Sequence, residues 1–208
     1  MHARLGAAVS LRRRYLRDEA LYGVGDRVEA VYAIRAGFFK TSVMSEDGRE
    51  QVTGFHMEGD VVGLDGLGDG HHLSRAVALD ESEVCVISVA KLMQLGVENQ
   101  PIQHHLYRML SREISREQSV MTMLGGLSAE ERLAAFLINL SRRLQARGHS
   151  PEDFRLPMTR QDLGSYLGLK LETVSRTLTK LHAQGLIDVQ RRHIQIRRLH
   201  ALAGLVGR

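Results

Sequence analysis

Two adjoining stretches indicate how the C-terminal part of this chain folds: Met158-Thr-Arg-Gln-Asp-Leu-Gly-Ser-Tyr-Leu-Gly-Leu169 and Leu171-Glu-Thr-Val-Ser-Arg176. Thr159 followed by Asp162 has the pattern of a capping box, the signature of a helix start. Gly168 is the only break before a second helical pattern begins. Two helices of about eight and twelve residues, joined by a tight turn that contains glycine, form a helix-turn-helix.

The segments on both sides of this motif complete a domain over residues 127–208. Upstream, Ser128-Ala-Glu-Glu131 is a capping box, and the helix that it opens is predicted to run to Gly148. Downstream, Leu186-Ile-Asp-Val-Gln190 and His193-Ile-Gln-Ile-Arg197 alternate apolar and polar residues, which predicts a two-stranded hairpin. We therefore expect a winged helix-turn-helix domain.

Three residues of the second helix are the predicted readers of a DNA sequence. Glu172, Ser175 and Arg176 are spaced i, i+3 and i+4, so they share one face of the helix. In the major groove an arginine can donate two hydrogen bonds to guanine, a glutamate can accept one from cytosine, and a serine can bond to either kind of edge. The alternative is a solvated Glu–Arg pair without a role in recognition. The turn, the wing and the basic charge favour recognition.

Positive charge is concentrated in the same domain. Residues 1–126 carry 14 Lys and Arg against 17 Asp and Glu, whereas residues 127–208 carry 14 against 7. A basic module on a mildly acidic body favours a polyanion as partner, although genomic base composition also enriches arginine. The predicted contacts to DNA phosphates are Thr159, Lys170, Arg191 and Arg192, the last two at the tip of the wing.

Residues 1–100 are predicted to form an all-β domain. They contain short stretches rich in Val, Ile, Phe and Tyr between glycine-rich turns, and no alternation of strands with helices. The chain as a whole is therefore expected to be α+β. The clearest predicted strands are Val31–Ile34, Phe38–Val43, Gln51–Phe55 and Glu83–Ile87.

A long helix is predicted over residues 101–126, from Pro101 to a pair of glycines. Its apolar seam, with spacings of 4, 3, 4 and 3, consists of Leu110, Ile114, Glu117, Met121 and Leu124. Such a seam can be buried against the chain's own β domain, but its length favours a homodimer. Across a two-fold axis Glu117 would face its own copy, and two desolvated carboxylates repel each other. We therefore expect a dimer near its association threshold, unless the helix rotates enough to keep Glu117 in water.

These motifs together resemble the CRP/FNR superfamily of bacterial transcription regulators, from Tyr22 nearly to the C-terminus. Within it the chain is most similar to the fumarate-and-nitrate-reduction (FNR) branch. The helix-turn-helix with Glu172-Thr-Val-Ser-Arg176 is the most specific match. The other matching segments are Val31–Gly37, Thr53–His56, Gly59–Gly63, Gly70–His72, Ala129–Phe136 and Asn139–Arg143.

The resemblance implies a cyclic-nucleotide-binding-like β-roll of the jelly-roll type, a long dimerisation helix that contains Ile114 and Glu117, and a winged helix-turn-helix. It implies a homodimer whose three base-reading residues recognise a TTGAT-N4-ATCAA-like palindrome in double-stranded DNA. It also implies that the hairpin around Asp47-Gly48 contacts RNA polymerase, where Arg49 stands in place of the acid that the family usually has.

The FNR branch senses oxygen through an iron–sulfur cluster held by three N-terminal cysteines and a fourth in the β-roll. Cys85 matches the fourth ligand, and it is the only cysteine in the sequence. Because a [4Fe–4S] cluster normally takes four thiolates, we expect no cofactor unless a longer N-terminus with cysteines exists. Between Val84 and Val86 in a strand, Cys85 is expected to be an inert buried thiol.

Cyclic AMP, the other ligand of the superfamily, is not expected to bind. The family's phosphate pocket has a Gly-Glu-x-Gly turn and a downstream Arg-Ser pair, whereas this chain has Gly63-Leu-Asp-Gly66 and Ser74-Arg75. Leu64 cannot accept a hydrogen bond from a ribose hydroxyl, and Ser74 cannot balance a phosphate charge. The alternative is a cyclic-nucleotide-responsive regulator. It would be favoured if the register of this segment slipped by one residue, because Arg75 would then balance the phosphate charge.

A metal-dependent enzyme on a cupin-like barrel, with His56, His71 and His72 as ligands, is the alternative from a different class. Adjacent residues of a strand point to opposite faces, so His71 and His72 cannot readily chelate one ion. We therefore expect neither a metal site nor enzymatic activity. A membrane-spanning helix needs about twenty consecutive apolar residues, and every apolar stretch in this sequence is far shorter. A single cysteine suits the reducing conditions of the cytoplasm.

Overall fold

The computed structural model describes residues 9–206, so the first eight residues of the predicted β domain lie outside the described part. The polypeptide forms two compact units, residues 1–116 and residues 117–208. The division falls within the long helix, and that helix therefore belongs in part to each unit.

The first unit contains two four-stranded antiparallel sheets. Its strands are β1 (Val9–Tyr15), β2 (Ala20–Tyr22), β3 (Ala30–Ala36), β4 (Phe38–Met44), β5 (Glu50–Met57), β6 (Val61–Val62), β7 (Arg75–Ala78) and β8 (Ser82–Ser88). One sheet has the order β1-β8-β3-β6 and the other the order β2-β7-β4-β5. The expected β-roll is confirmed.

The core of the first unit lies between the two sheets. Ile34 and Val84 from one sheet pack with Phe39 and Ala78 from the other, and all four are buried. Since successive side chains of a strand point to opposite faces, the neighbours of Val84 point away from this core.

Gly37 carries the chain from β3 in one sheet to β4 in the other. Its φ of 85° lies in the left-handed region, where glycine alone is free of strain. A Cβ at this position would also lie 2.6 Å from the carbonyl oxygen of Glu81. No other residue fits this crossing without moving the backbone.

Two helices follow β8, namely α1 (Val89–Glu98) and α2 (Gln100–Gly126). Leu92 of α1 and Leu106 of α2 pack against Val31 and Ile87 on the outer face of the first sheet. The short helix α1 has no counterpart among the elements predicted from the sequence.

The second unit continues from the end of α2 with four helices and a small sheet. Its elements are α3 (Ala129–Gln145), β9 (Asp153–Arg155), α4 (Arg160–Leu167), α5 (Leu171–Ala183), β10 (Ile187–Gln190), β11 (His193–Ile196) and α6 (Leu199–Ala203). The sheet has three strands in the order β10-β11-β9, rather than the predicted two. The predicted end of α3 at Gly148 was also wrong, because the helix stops at Gln145 and Gly148 has a φ of 79°.

The core of the second unit is made mainly by leucines that recur along its helices. The side chains buried most completely are Leu133, Leu137, Leu163, Leu167, Leu181, Ile194 and Leu202. They hold α3, α4, α5 and the sheet together, which leaves one face of α5 free. Among the helices described, none combines the length and the apolar character that crossing a bilayer requires.

Candidate DNA interface

A capping box fixes the start of α4. The Thr159 hydroxyl accepts a hydrogen bond from the Asp162 backbone N–H at 3.0 Å, and the Thr159 backbone N–H donates to the Asp162 carboxylate at 2.8 Å. The Thr159 hydroxyl also donates to that carboxylate at 2.6 Å. Because N-terminal N–H groups of a helix have no partner within the helix, these bonds stabilise its first turn.

Two glycines shape the turn between α4 and α5. Gly168 caps α4 with a φ of 63°, and the Leu169 N–H returns to the Gly164 carbonyl at 2.8 Å. A Cβ on Gly164 would lie 2.6 Å from the Leu169 carbonyl oxygen. The close approach of backbone to backbone therefore requires glycine, and the predicted helix-turn-helix is confirmed.

The helix α5 presents a polar face to solvent. Val174 and Leu178 are buried in the core, while Glu172 and Arg176 are exposed and Ser175 is half-buried beside them. Within residues 9–206, neither Glu172 nor Arg176 takes part in an ion pair, so the predicted alternative of a Glu–Arg pair does not form. Both side chains are available to a ligand in a groove.

Arg160, the first residue of α4, belongs to the same surface and was missed from the sequence. Its Nη1 donates to the Ser175 hydroxyl at 3.1 Å. It therefore links α4 to the middle of the exposed face of α5. Its place directly after the cap residue of the first helix was the only signal that the sequence offered.

The predicted phosphate contacts occupy different environments. Lys170 is exposed at the start of α5 and makes no capping hydrogen bond there. Arg191 is exposed at the tip of the β10–β11 hairpin, with a φ of 57°. Arg192 is half-buried, and its Nη1 donates to the Pro157 carbonyl at 3.3 Å. Thr159, by contrast, uses both of its donors within the capping box.

The seam predicted along α2 is uncovered in the single chain. Ile114 is 56% exposed and Met121 is 66% exposed, and Glu117 is exposed between them. Leu110 is 36% exposed, while Leu124 is half-buried. An apolar stripe of this kind in water is characteristic of a surface that another chain covers.

A polar cluster lies in the β-roll at the turn of residues 63–66, with Asp65 exposed and its partners His72 and Ser74 buried. Asp65 Oδ2 accepts hydrogen bonds from the backbone N–H groups of Leu73 at 3.0 Å and Ser74 at 2.8 Å, and from the Ser74 hydroxyl at 2.8 Å. Asp65 Oδ1 lies 3.1 Å from Nδ1 of the buried His72. The His72 ring stacks on Tyr22 at a centroid distance of 3.7 Å, and burial together with the Asp65 charge raises the pKa of Tyr22 above its usual range. The chain's own carboxylate thus takes up the donors of Leu73 and Ser74.

The histidines of the alternative metal site do not converge. His56 is buried, with Nε2 3.0 Å from the Thr41 hydroxyl and Nδ1 3.2 Å from Arg116 Nη1. His71 is exposed, and His72 is held in the cluster with Asp65. Among the described residues, no group of three or more His, Cys, Asp or Glu side chains is arranged to hold a metal ion.

Cys85 is half-buried, so the expectation of a buried thiol was wrong. It pairs with Arg12 of β1 and Ala33 of β3 on the outward face of the sheet, next to Val84, which points inward. Cys85 offers one of the four thiolates that a [4Fe–4S] cluster takes, and residues 1–208 contain no other cysteine.

The hairpin between β4 and β5 carries a compact charge pair. Arg49 Nε donates to Asp47 Oδ2 at 2.6 Å, and this bond holds the pKa of Asp47 well below its usual range. The Ser45 hydroxyl donates to the Arg49 carbonyl at 2.9 Å and closes the loop. The cation at position 49 therefore neutralises the acid at the hairpin tip.

An exposed helix of a helix-turn-helix beside a basic wing defines the class of winged helix-turn-helix DNA-binding proteins. The Crp-like helix-turn-helix domain family matches residues 131–205, and the cyclic nucleotide-binding domain family matches residues 12–99.

Relatives of known function cover nearly the whole chain. Transcriptional regulatory protein btr of Bordetella pertussis is 41% identical over 204 residues, which are 98% of this chain and 84% of that protein. The fumarate and nitrate reduction regulatory protein of Salmonella typhimurium is 44% identical over 191 residues, 92% of this chain and 76% of that protein. The structure of FixK2 from Bradyrhizobium japonicum has a TM-score of 0.86 at 34% identity, and covers 94% of this chain and 96% of its own. The chain belongs to the CRP/FNR family of DNA-binding transcription regulators, and it is not an enzyme.

Proposed function

We propose that the protein binds, as a homodimer, to a TTGAT-N4-ATCAA-like palindrome in double-stranded DNA and regulates transcription there. The observation that carries this proposal is the exposed face of α5, on which Glu172 and Arg176 are free of ion pairs among the described residues. An unpaired arginine can donate both of its outer N–H groups to one guanine, and an unpaired glutamate can accept from cytosine. Ser175 lies between them, in hydrogen-bond contact with Arg160.

Lys170, Arg191 and Arg192 are the proposed phosphate contacts. Lys170 and Arg191 are exposed, whereas Arg192 is half-buried and donates from Nη1 to the Pro157 carbonyl. Such contacts fix the position of a protein on DNA and carry no sequence information themselves. Thr159 contributes by ordering the first turn of α4, since its donors are used by Asp162.

The exposed stripe on α2 is the proposed dimer interface, formed by Leu110, Ile114, Glu117, Met121 and Leu124. Two copies of one DNA-binding unit then meet two half-sites about one helical turn apart, as in other dimeric helix-turn-helix proteins. The acid at position 117 weakens the pairing because the two carboxylates face each other. This supports a dimer that forms only at sufficient concentration or on DNA.

We further propose that the β4–β5 hairpin contacts RNA polymerase and that the protein acts in the cytoplasm, where the chromosome lies. The Asp47–Arg49 pair offers one neutralised carboxylate and a guanidinium rather than two acids. Replacing Arg49 by alanine should change transcription from a target promoter while DNA binding stays the same. Equal loss of both activities would contradict a polymerase contact.

Neither an iron–sulfur cluster nor cyclic AMP is part of the proposal. Cys85 would supply one of four thiolates, so a [4Fe–4S] cluster would need cysteines from a longer N-terminus. The exclusion of cyclic AMP rests on Asp65, because a phosphate entering this turn would have to displace a carboxylate that accepts three hydrogen bonds on one oxygen. The two anions would also repel each other.

The test is binding of the protein, purified in air, to a TTGAT-N4-ATCAA duplex and to a scrambled duplex of the same length. We expect at least about a thousandfold preference for the palindrome, which is typical of specific DNA-binding proteins, and no change on adding cyclic AMP. Weak, salt-sensitive binding to both duplexes would overturn the proposal. A preference that appears only with cyclic AMP would favour the cyclic-nucleotide-responsive alternative.

A further inference from the structure

The last turn of α2 is built from residues that hold a helix weakly. Gly125 and Gly126 end the helix, and only Leu127 and Ser128 separate them from α3. Neither glycine has a positive φ, and a Cβ added to either would meet nothing within 4 Å. Neither space nor backbone conformation therefore requires glycine here. Because glycine is among the poorest helix formers, this end of α2 unwinds more easily than the rest.

One side chain holds this weak end in place. Arg132 of α3 donates from Nη2 to the Leu124 carbonyl at 2.7 Å and from Nε to the Leu127 carbonyl at 2.8 Å. Carbonyl groups in the last turn of a helix lack partners within the helix and carry partial negative charge. The guanidinium supplies a partner to the Leu124 carbonyl in that turn, and its second bond, to Leu127 just beyond the helix, fixes the direction in which the chain leaves α2.

The same guanidinium also reaches the helix-turn-helix. Nη1 of Arg132 donates to the Leu167 carbonyl at 3.0 Å, at the C-terminal end of α4. The adjacent turn is packed closely, since a Cβ on Gly168 would lie 3.3 Å from Arg132 Nη1 and 3.4 Å from Leu124 Cδ2. One residue thus joins the end of α2 to the turn that orients the recognition helix α5. All of these contacts lie within the second unit.

We propose that Arg132 is a positioning residue that sets the half-site spacing the dimer accepts. This inference rests on the proposed function, in which α2 pairs with its copy and each α5 reads one half-site. In such a dimer the paired α2 helices form the fixed axis. The orientation of each α4–α5 pair relative to the C-terminal end of α2 then determines the separation of the two recognition helices. One base pair moves a half-site by about 3.4 Å and turns it by about 35°, so a rigid joint must discriminate between spacings.

The experiment measures the affinity of the protein for palindromes with spacers of three, four, five and six base pairs, and for a single TTGAT half-site. The wild-type protein should prefer one spacing by about tenfold or more, the cost of about one good contact. Arg132→Lys keeps the charge but cannot reach three carbonyls. It should reduce the preference to about threefold or less, with binding to the single half-site changed by no more than about twofold.

The matched control is Arg142→Gln, which removes a charge from an exposed position of the same helix. It should keep the spacing preference of the wild type. An Arg132→Lys variant with an unchanged preference would overturn the inference. A wild-type protein that does not distinguish the palindromes from scrambled DNA would overturn the proposed function instead.

A second variant covers the case in which Arg132→Lys does not fold, as judged by its thermal unfolding. Replacing both Gly125 and Gly126 by alanine strengthens the end of α2 without meeting a neighbour. If the joint sets the spacing, this variant should sharpen the preference of the wild-type protein at least twofold. An unchanged or broader preference in the alanine variant would contradict the inference.

Discussion

Arg160 donates a hydrogen bond to the hydroxyl of Ser175 over 3.1 Å, and so connects the two helices of the DNA-binding motif at their solvent-facing side. The bond uses Ser175 as an acceptor, which leaves its hydroxyl proton free to donate elsewhere. An acceptor on a base edge, such as an oxygen of guanine or thymine, is a suitable partner. The contact therefore orients a residue that the sequence marks as a base reader.

Arg160→Ala should weaken binding to the palindrome by about fivefold, the equivalent of one hydrogen bond of about 1 kcal/mol. The loss on scrambled DNA should be smaller at high salt, where the charge of Arg160 matters less. Fluorescence anisotropy with both duplexes at two salt concentrations measures this. Arg160→Lys serves as the control, because it keeps the charge. If it binds the palindrome no better than Arg160→Ala, the hydrogen bond rather than the charge is the cause; equal affinities for all three proteins would contradict the role.

Arg176→Ala should cost about 1–3 kcal/mol in binding to the palindrome and relax selectivity at one position of the half-site. The reason is the loss of a paired donor to one base, since Arg176 is exposed and contributes nothing to the core. Binding to duplexes with each base in turn at every half-site position identifies the relaxed position. A loss of equal size on scrambled DNA would mean that Arg176 contacts only phosphate.

Replacing Arg191 and Arg192 by alanine should weaken binding to every sequence alike. Each phosphate contact contributes about 0.9 to the slope of log affinity against log salt, so the slope should fall by about 2. A titration from low to physiological salt with the palindrome and with scrambled DNA gives both slopes. A changed order of preference among sequences would contradict a phosphate role for the wing.

Glu117→Ala should tighten the dimer by about tenfold, the equivalent of one pKa unit of repulsion removed from the interface. Glu117 lies exposed in the seam between Ile114 and Met121, so its removal disturbs no contact within the chain. Sedimentation equilibrium measures the change, and Ile114→Ala should shift it in the opposite direction. An unchanged association constant for Glu117→Ala would show that the helix keeps this carboxylate in water.

The capping box of α3 predicts a pH dependence of stability. The Ser128 hydroxyl and backbone N–H hold the pKa of Glu131 below its ordinary value of 4.5. The unfolded chain thus binds this proton at a higher pH than the folded chain, and the stabilisation is complete above pH 4.5 and lost as the pH falls through the folded pKa. Urea midpoints of the wild type and Glu131→Gln should differ most near pH 7, and the difference should shrink as the pH falls below the ordinary value of 4.5. A difference that is constant over this range would contradict the assignment.

The elements that were predicted well are those specified by nearby residues. The capping box at Thr159 and the turn glycine at 168 form bonds within a few residues, so the sequence alone places α4 and α5. The exposure of Glu172 and Arg176 follows from the same periodicity, because Val174 and Leu178 face the core.

The elements that were missed depend on distant partners. The strand β1 contains three successive arginines and is a strand only because it pairs with β8, from Tyr15 opposite Ser82 to Val9 opposite Ile87. The strand β9 has three residues and exists through its pairing with β11. In the same way, Arg160 and Arg132 bond to groups 15 and 35 residues away, and no local pattern marks such contacts.

Asp65 satisfies hydrogen-bond donors of the β-roll from within the chain. Here the polypeptide supplies the counter-group itself, with three hydrogen bonds on one carboxylate oxygen. These three donors therefore need no anion from solution to satisfy them.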